Sequence, residues 1–347
     1  MRGRTRQCVT ITAPRAVAVA TMEAPVPAPN EVLIRTAFSG ISAGTEMNVY
    51  RGDAPQWRSR QDAGSALFVP GEPDFTYPLV YGYANVGTVE EVGATVETVA
   101  PGTLVFSYTP HCSWVVAAAG GVVALPELAD VRRGVFLANL STALNGVLDA
   151  RPSIGDVVVV SGLGVIGLLV TRLMRRAGAG LVVGVDRLDH RRRRALEAGA
   201  NHVLDPGDSV AEAVRDLTNG RGADIVVEAS GAAPALNEAI RIVGFEGLVI
   251  ALSWYGGTFE GLRLSGEFHH NRVRIRSSQV GAVNPELGPR WSVERRTRLA
   301  LGLLAELPLE EYITHEFAPS DASRAYGLID SLSDDVIQCV FTFRGRG

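Results

Sequence analysis

Short apolar stretches punctuated by glycine and proline fill the chain up to about residue 125. Residues 8–12, 31–37, 85–92, 103–106, 114–116 and 121–125 read as strands, since β-branched residues alternate there with polar ones or form brief apolar runs. Gly93 and the pair Pro101 and Gly102 supply turns between them. Many short strands broken in this way predict a small barrel. Residues 56–75 have little periodicity and several glycines and prolines, which predicts a surface loop, and loops of that length are often functional.

From Val131 the period lengthens. Val135, Leu137, Ala138, Leu140, Leu144, Val147 and Leu148 suit the packed face of a helix. Apolar strands then alternate with helical segments, at 157–160, 181–185, 202–204, 225–228, 248–252 and 273–276. This alternation predicts an α/β fold with a doubly wound parallel sheet covered by helices on both faces. A helix over 293–304 and a strand-like 337–343 follow, and that last strand could return to the first domain.

The run Val157 to Ser161 feeds directly into Gly162, Gly164 and Gly167, spaced Gly-x-Gly-x-x-Gly. Gly162 permits a tight turn, Gly164 lets backbone approach a pyrophosphate, and Gly167 lets the following helix pack closely on the sheet. The helix start, with Val165 and Ile166, offers unpaired N–H groups and a favourable dipole to an anion. Asp186 ends the next strand at roughly the 20-residue offset of a ribose-binding carboxylate. A carboxylate there favours NAD(H) by repelling a 2′-phosphate; Arg187 and Arg191 could partly offset it and admit NADP(H). Ala229 and Ser230, with Leu252 and Ser253, follow later strands and are expected to line the same cleft.

Composition narrows the chemistry. With 347 residues and 46% hydrophobic content, two soluble domains are expected. The formal net charge of −4 gives no basic field for nucleic acid, and the run Arg191 to Arg194 reads as a solvated helix face. No stretch is long and apolar enough to span a bilayer, and no signal core follows the basic start, so the expected location is the cytoplasm. Cys8, Cys112 and Cys339 are odd in number and far apart, which argues against a disulfide framework. All 33 basic residues are arginine. Without lysine, Schiff-base chemistry, a phosphate-loop lysine and the tyrosine–lysine couple of short-chain dehydrogenases are excluded.

The order of these parts resembles the medium-chain dehydrogenase/reductase superfamily, the zinc-type alcohol dehydrogenases in the broad sense. The resemblance is carried by residues 29–34, 40–46 (GISAGTE), 86–93 (VGTVEEVG) and the glycine motif. It implies a GroES-like β-barrel catalytic domain over 1–143 and 282–347, and a Rossmann domain over 144–281. It also implies a small-molecule substrate and a homodimer joined along residues 273–279. The departures matter as much. Where zinc-dependent members place their ligands, this chain has Ser42 and Ala43, Tyr83, and Ala138. Catalytic zinc needs three Cys, His or acidic donors, so a zinc-free enzyme is expected.

Without zinc, an alkoxide needs another proton partner. Tyr83 is the first candidate and His111 the second; a packing tyrosine and a turn-capping histidine are the structural alternatives. Ser42 and Thr142 could orient a substrate hydroxyl or the cofactor amide, or serve as loop and cap residues. Glu46 matches the family's acidic position after the Ser42 loop and reads as structural, or as supporting the site from behind, rather than as catalytic. His269 and His270 are adjacent and weak as metal ligands, Arg290 and Trp291 could border the pocket or form an exposed turn, and Asp334 and Asp335 look like a solvated turn. The resemblance points to oxidoreduction between a secondary alcohol (a polyol, cyclitol or biosynthetic intermediate of secondary metabolism) and its ketone. An NADPH-dependent enone or quinone reductase and a non-catalytic dinucleotide-binding protein stand as alternatives.

Overall fold

In the computed structural model, which describes residues 3–256, 261–332 and 335–343, the apolar blocks after residue 150 form one sheet. Its strands lie in the order His202–Leu204, Leu181–Val185, Val157–Ser161, Ala223–Glu228, Val243–Ala251 and Arg274–Ser277, every neighbouring pair parallel. This is the doubly wound 3-2-1-4-5-6 order, whose winding reverses beside the first strand. Val158, Val159 and Val160 are fully buried, which is why that strand reads as an unbroken apolar run. The helix Val165–Arg176 buries Leu168, Leu169, Leu173 and Met174 and ends on Arg175 and Arg176, cations suited to a helix C-terminus.

These strands belong to one of two units, Asn139–Ala300; the other joins Met1–Ala138 to Leu301–Gly347. The second division falls within the helix Val293–Glu306. In the first unit, a sheet runs Val122–Ala124, Leu104–Ser107, Asn85–Val92, Glu31–Ile41, Gln338–Thr342, Ile313–Phe317, with Trp114–Ala118 also paired to Glu31–Ile41. The strand Gln338–Thr342 pairs antiparallel with Glu31–Ile41, so the late apolar segment does return to the first unit. A smaller sheet pairs Thr5–Ala13 with Ala16–Glu23 and Leu79–Val80.

Four elements here lie outside those predicted from the pattern. The helix Thr45–Arg51 spans 7 residues, too few to repeat an apolar face. Ala16–Glu23 exposes much of its length, so polarity does not mark it as a strand. The strand Ile313–Phe317 shows no alternation, whereas the helix Ala322–Asp330 does carry a helical period, burying Ala322, Ala325, Tyr326 and Ile329. The expected loop over 56–75 is largely irregular but well anchored. Trp57 stacks on Tyr77 with ring centroids 3.9 Å apart, and Trp57 and Phe75 pack against the core that includes Met47, Tyr326 and Phe341.

Cys8 and Cys112 correct an expectation. They stand opposite each other in an antiparallel bridge and are joined by a disulfide, leaving Cys339 free and buried. Their sequence separation of 104 hid a contact that only strand pairing creates. Asp334 lies outside the described residues. Among those described, no helix is long and apolar enough to cross a membrane. Protein denatured without reductant should therefore show one titratable thiol, and three after reduction; three before reduction would refute the Cys8–Cys112 bond.

Candidate functional site

At the winding reversal of the parallel sheet, the chain leaves Ser161 through Gly162 at φ +91°, a conformation that glycine adopts without strain. A Cβ there would come within 2.5 Å of the Ser230 backbone nitrogen, so the first glycine turn is pressed against the loop that follows Ala223–Glu228. A Cβ on Gly167 would run into the Gly162 carbonyl. Gly164, by contrast, caps the helix with an open face: a Cβ there would meet only the Arg191 guanidinium, at 3.9 Å. Two glycines thus serve packing, while the middle one leaves space at a helix N-terminus beside Val165 and Ile166, a cradle that fits a pyrophosphate.

Asp186 is buried, and its two oxygens accept the backbone N–H groups of Leu163 at 2.8 Å and Leu188 at 2.9 Å. It therefore ties the glycine turn to the next strand, a role that spacing alone does not reveal. Arg191 reaches within 3.9 Å of its carboxylate, while Arg187 is exposed. Ala229 and Ser230 follow Glu228, a fully buried carboxylate that accepts the N–H of Ser230 at 2.7 Å and the Tyr255 hydroxyl. Leu252 packs against Gly146 on the helix Leu137–Ala150; Ser253 beside it is partly buried. Thr142 lies on that same helix, in the second unit.

The first unit gathers the other candidates around one carboxylate. Glu46 sits in the first turn of the helix Thr45–Arg51, where an acid suits the dipole, and it is fully buried. Its Oε1 accepts the Ser42 N–H at 2.8 Å. Its Oε2 accepts His111 Nε2–H at 2.8 Å and the Tyr326 hydroxyl at 2.9 Å. The other ring nitrogen of His111 pairs with the Ser39 hydroxyl, and His111 and Ser39 are both fully buried. The imidazole rests on Gly82, where a Cβ would fall 2.7 Å from the ring.

Tyr83 adjoins this cluster. Loss of solvent, and then the nearby Glu46 charge, push its phenol up to about 12, while hydrogen bonds with the Ser42 and Thr45 side chains pull the other way. Tyr81 is raised by the same two causes in the same order. Ser42, Tyr83 and His111 are thus brought together. Thr45, Ser39 and Tyr326 were not foreseen. Thr45 carried a signal in the 40–46 loop, but Tyr326 lies 280 positions from its partner and carried none.

The remaining candidates stand apart from this network. Trp291 lies beneath the Arg295 guanidinium, 4.3 Å away, while Arg290 ends the kinked six-residue segment Pro285–Arg290. Asp335 reaches His315 at 3.5 Å. His269 and His270 occupy a four-residue helix, and among the described residues no group of three His, Cys, Asp or Glu side chains could hold a metal. At the positions matching the family's zinc ligands stand the Ser42 hydroxyl, the Ala43 and Ala138 methyl groups and the Tyr83 phenol, a set that does not fit zinc.

Residues 28–133 match the family model for the alcohol dehydrogenase GroES-like domain, and residues 165–291 match that for zinc-binding dehydrogenase. The chain is 33% identical over 294 residues to D-guloside 3-dehydrogenase of Escherichia coli K12, covering 82% of this chain and 84% of the relative. A putative zinc-binding dehydrogenase from Sinorhizobium meliloti, bound to NADP, superposes with a TM-score of 0.78 at 21% identity, over 98% of this chain and 100% of that one. An alcohol dehydrogenase from Escherichia coli CFT073, complexed with NADH, gives 0.79 at 18% identity with the same coverage. From the glycine turn to the returning strand, fold and sequence agree: the chain belongs to the medium-chain dehydrogenase/reductase superfamily.

Proposed function

We propose that the protein is an NAD(H)-dependent oxidoreductase that interconverts a secondary alcohol, on a polyol, cyclitol or sugar-like substrate, and its ketone without catalytic zinc. The observation that carries this reading is the Tyr83 phenol. It is desolvated beside Glu46 and hydrogen-bonded with Ser42 and Thr45, at the position matching a zinc-binding histidine of the family. Similarity to an enzyme named for oxidising a guloside supports the substrate class. The open glycine cradle and the nicotinamide-bound structural neighbours support the cofactor.

The bound nicotinamide would supply or accept the hydride. In ketone reduction negative charge grows on the carbonyl oxygen, and with no Lewis acid a proton donor has to meet it. Tyr83 keeps its proton at neutral pH and gives it up here, while the Ser42 and Thr45 hydroxyls stabilise the phenolate left behind. Both ring nitrogens of His111 are engaged, so its part is to hold Glu46. Thr142 is assigned to orient the substrate hydroxyl or the cofactor amide. Asp186 takes the ribose diol.

Tyr83→Phe should lower kcat for ketone reduction by roughly 100-fold or more while NADH affinity holds. Because its phenol is raised from 10.0 to about 12, the wild-type rate should stay flat through pH 10, where an ordinary phenol would be half ionised, and fall only above it. An active Tyr83→Phe enzyme, in steady-state assays on a panel of ketones, cyclic polyols, glycosides and enones, would defeat the proton-donor assignment. Silence on the whole panel despite NADH binding would defeat the enzymatic reading.

For the coenzyme, NADH should bind at least about tenfold more tightly than NADPH, since Arg191 only partly offsets Asp186. Calorimetric titration showing the reverse order would overturn the NAD(H) assignment. The strand Arg274–Ser277 forms one edge of its sheet, and a homodimer joined there predicts twice the chain mass by light scattering.

A further inference from the structure

The ring of Tyr326 is already fully used in packing. It is tilted against Tyr50 with centroids 5.2 Å apart, faces Phe341 at 6.5 Å, and is 1% exposed. Phenylalanine would fill that space equally well. The hydroxyl therefore needs its own reason, because burying it opposite a buried carboxylate is costly unless both gain a defined bond. Its partner is Glu46 Oε2, at 2.9 Å.

The consequences pass outward from Glu46 along two arms. Through Oε1 the carboxylate holds the Ser42 N–H and so the turn from Ser42 to Thr45, whose two hydroxyl side chains bond Tyr83. Through Oε2 it holds His111, whose imbedded ring rests on Gly82, the residue preceding Tyr83. Glu46 thus reaches Tyr83 both at its hydroxyl and at its backbone. Tyr326 fixes the carboxylate from a different part of the chain.

We propose that Tyr326 and Glu46 are positioning residues for the Tyr83 hydroxyl: Tyr326 anchors the carboxylate, and the carboxylate sets the turn and the imidazole that aim the phenol. This inference rests on Tyr83 being the proton donor. Neither residue exchanges a proton with substrate.

The test is a double-mutant cycle on the full-length protein, using NADH and a ketone that the wild type reduces. Tyr326→Phe should melt close to wild type, keep the NADH dissociation constant and the ketone KM within about threefold, and lose about tenfold or more in kcat. Added to Tyr83→Phe it should cost almost nothing further, since it acts only through that hydroxyl. A merely structural role would give additive losses. Should Tyr326→Phe fail to fold, Glu46→Gln, which keeps the side-chain shape, carries the same cycle with the same expectation. A normal kcat in the variant, or additive losses, would overturn the positioning role while leaving Tyr83 in place. Wild-type kcat in Tyr83→Phe alone would instead overturn the donor assignment, and this proposal with it.

Discussion

A carboxylate withdrawn completely from solvent has to be held by donors on every side, and Glu46 imposes that demand on the whole first unit. Its three donors come from the turn after Ile41, from the segment following Leu104–Ser107, and from the helix Ala322–Asp330. Without these donors a charge would remain in a medium that cannot solvate it, at a cost of several kcal/mol. Misassembly of this region is therefore penalised electrostatically as well as through lost apolar contact. The second unit has a parallel device in Asp186, which binds the glycine turn through backbone N–H groups rather than side chains.

The two units were not equally legible in sequence. The second unit announces itself, because a strand buried on both faces must be apolar throughout and a pyrophosphate cradle must be glycine, so fold and ligand impose a local pattern on adjacent residues. The Glu46 network has no such pattern. Its members come from positions 39, 42, 45, 46, 83, 111 and 326, on separate strands, turns and helices that only the tertiary fold brings together. Ser42 and Tyr83 could be singled out because the missing zinc ligands drew attention to their loops, and His111 because a histidine can relay a proton near neutral pH. Tyr326 and Ser39 could not, since a tyrosine on a short helix and a serine in a strand look like ordinary packing residues.

The same limit explains the cysteines. Spacing rules for disulfides work where the chain is short and the bridges dominate the fold. Here one bond sits within an ordinary barrel, at a bridge adjacent to His111, and the residue count offered no hint of it. Such a bond persists where the surroundings are oxidising, so it bears on where the protein works as well as on how it holds together.

The strands Ile313–Phe317 and Gln338–Thr342 have a further meaning when the chain is considered as it emerges during synthesis. All of Asn139–Ala300 is made before them, so the parallel sheet can fold as soon as it leaves the ribosome. The first unit must wait. Until Gln338–Thr342 arrives, the strand Glu31–Ile41 has an unpaired edge, and until Tyr326 arrives Glu46 lacks a donor. The part translated first is thus among the last completed, and in the interval it carries the kind of unpaired strand edge that favours aggregation.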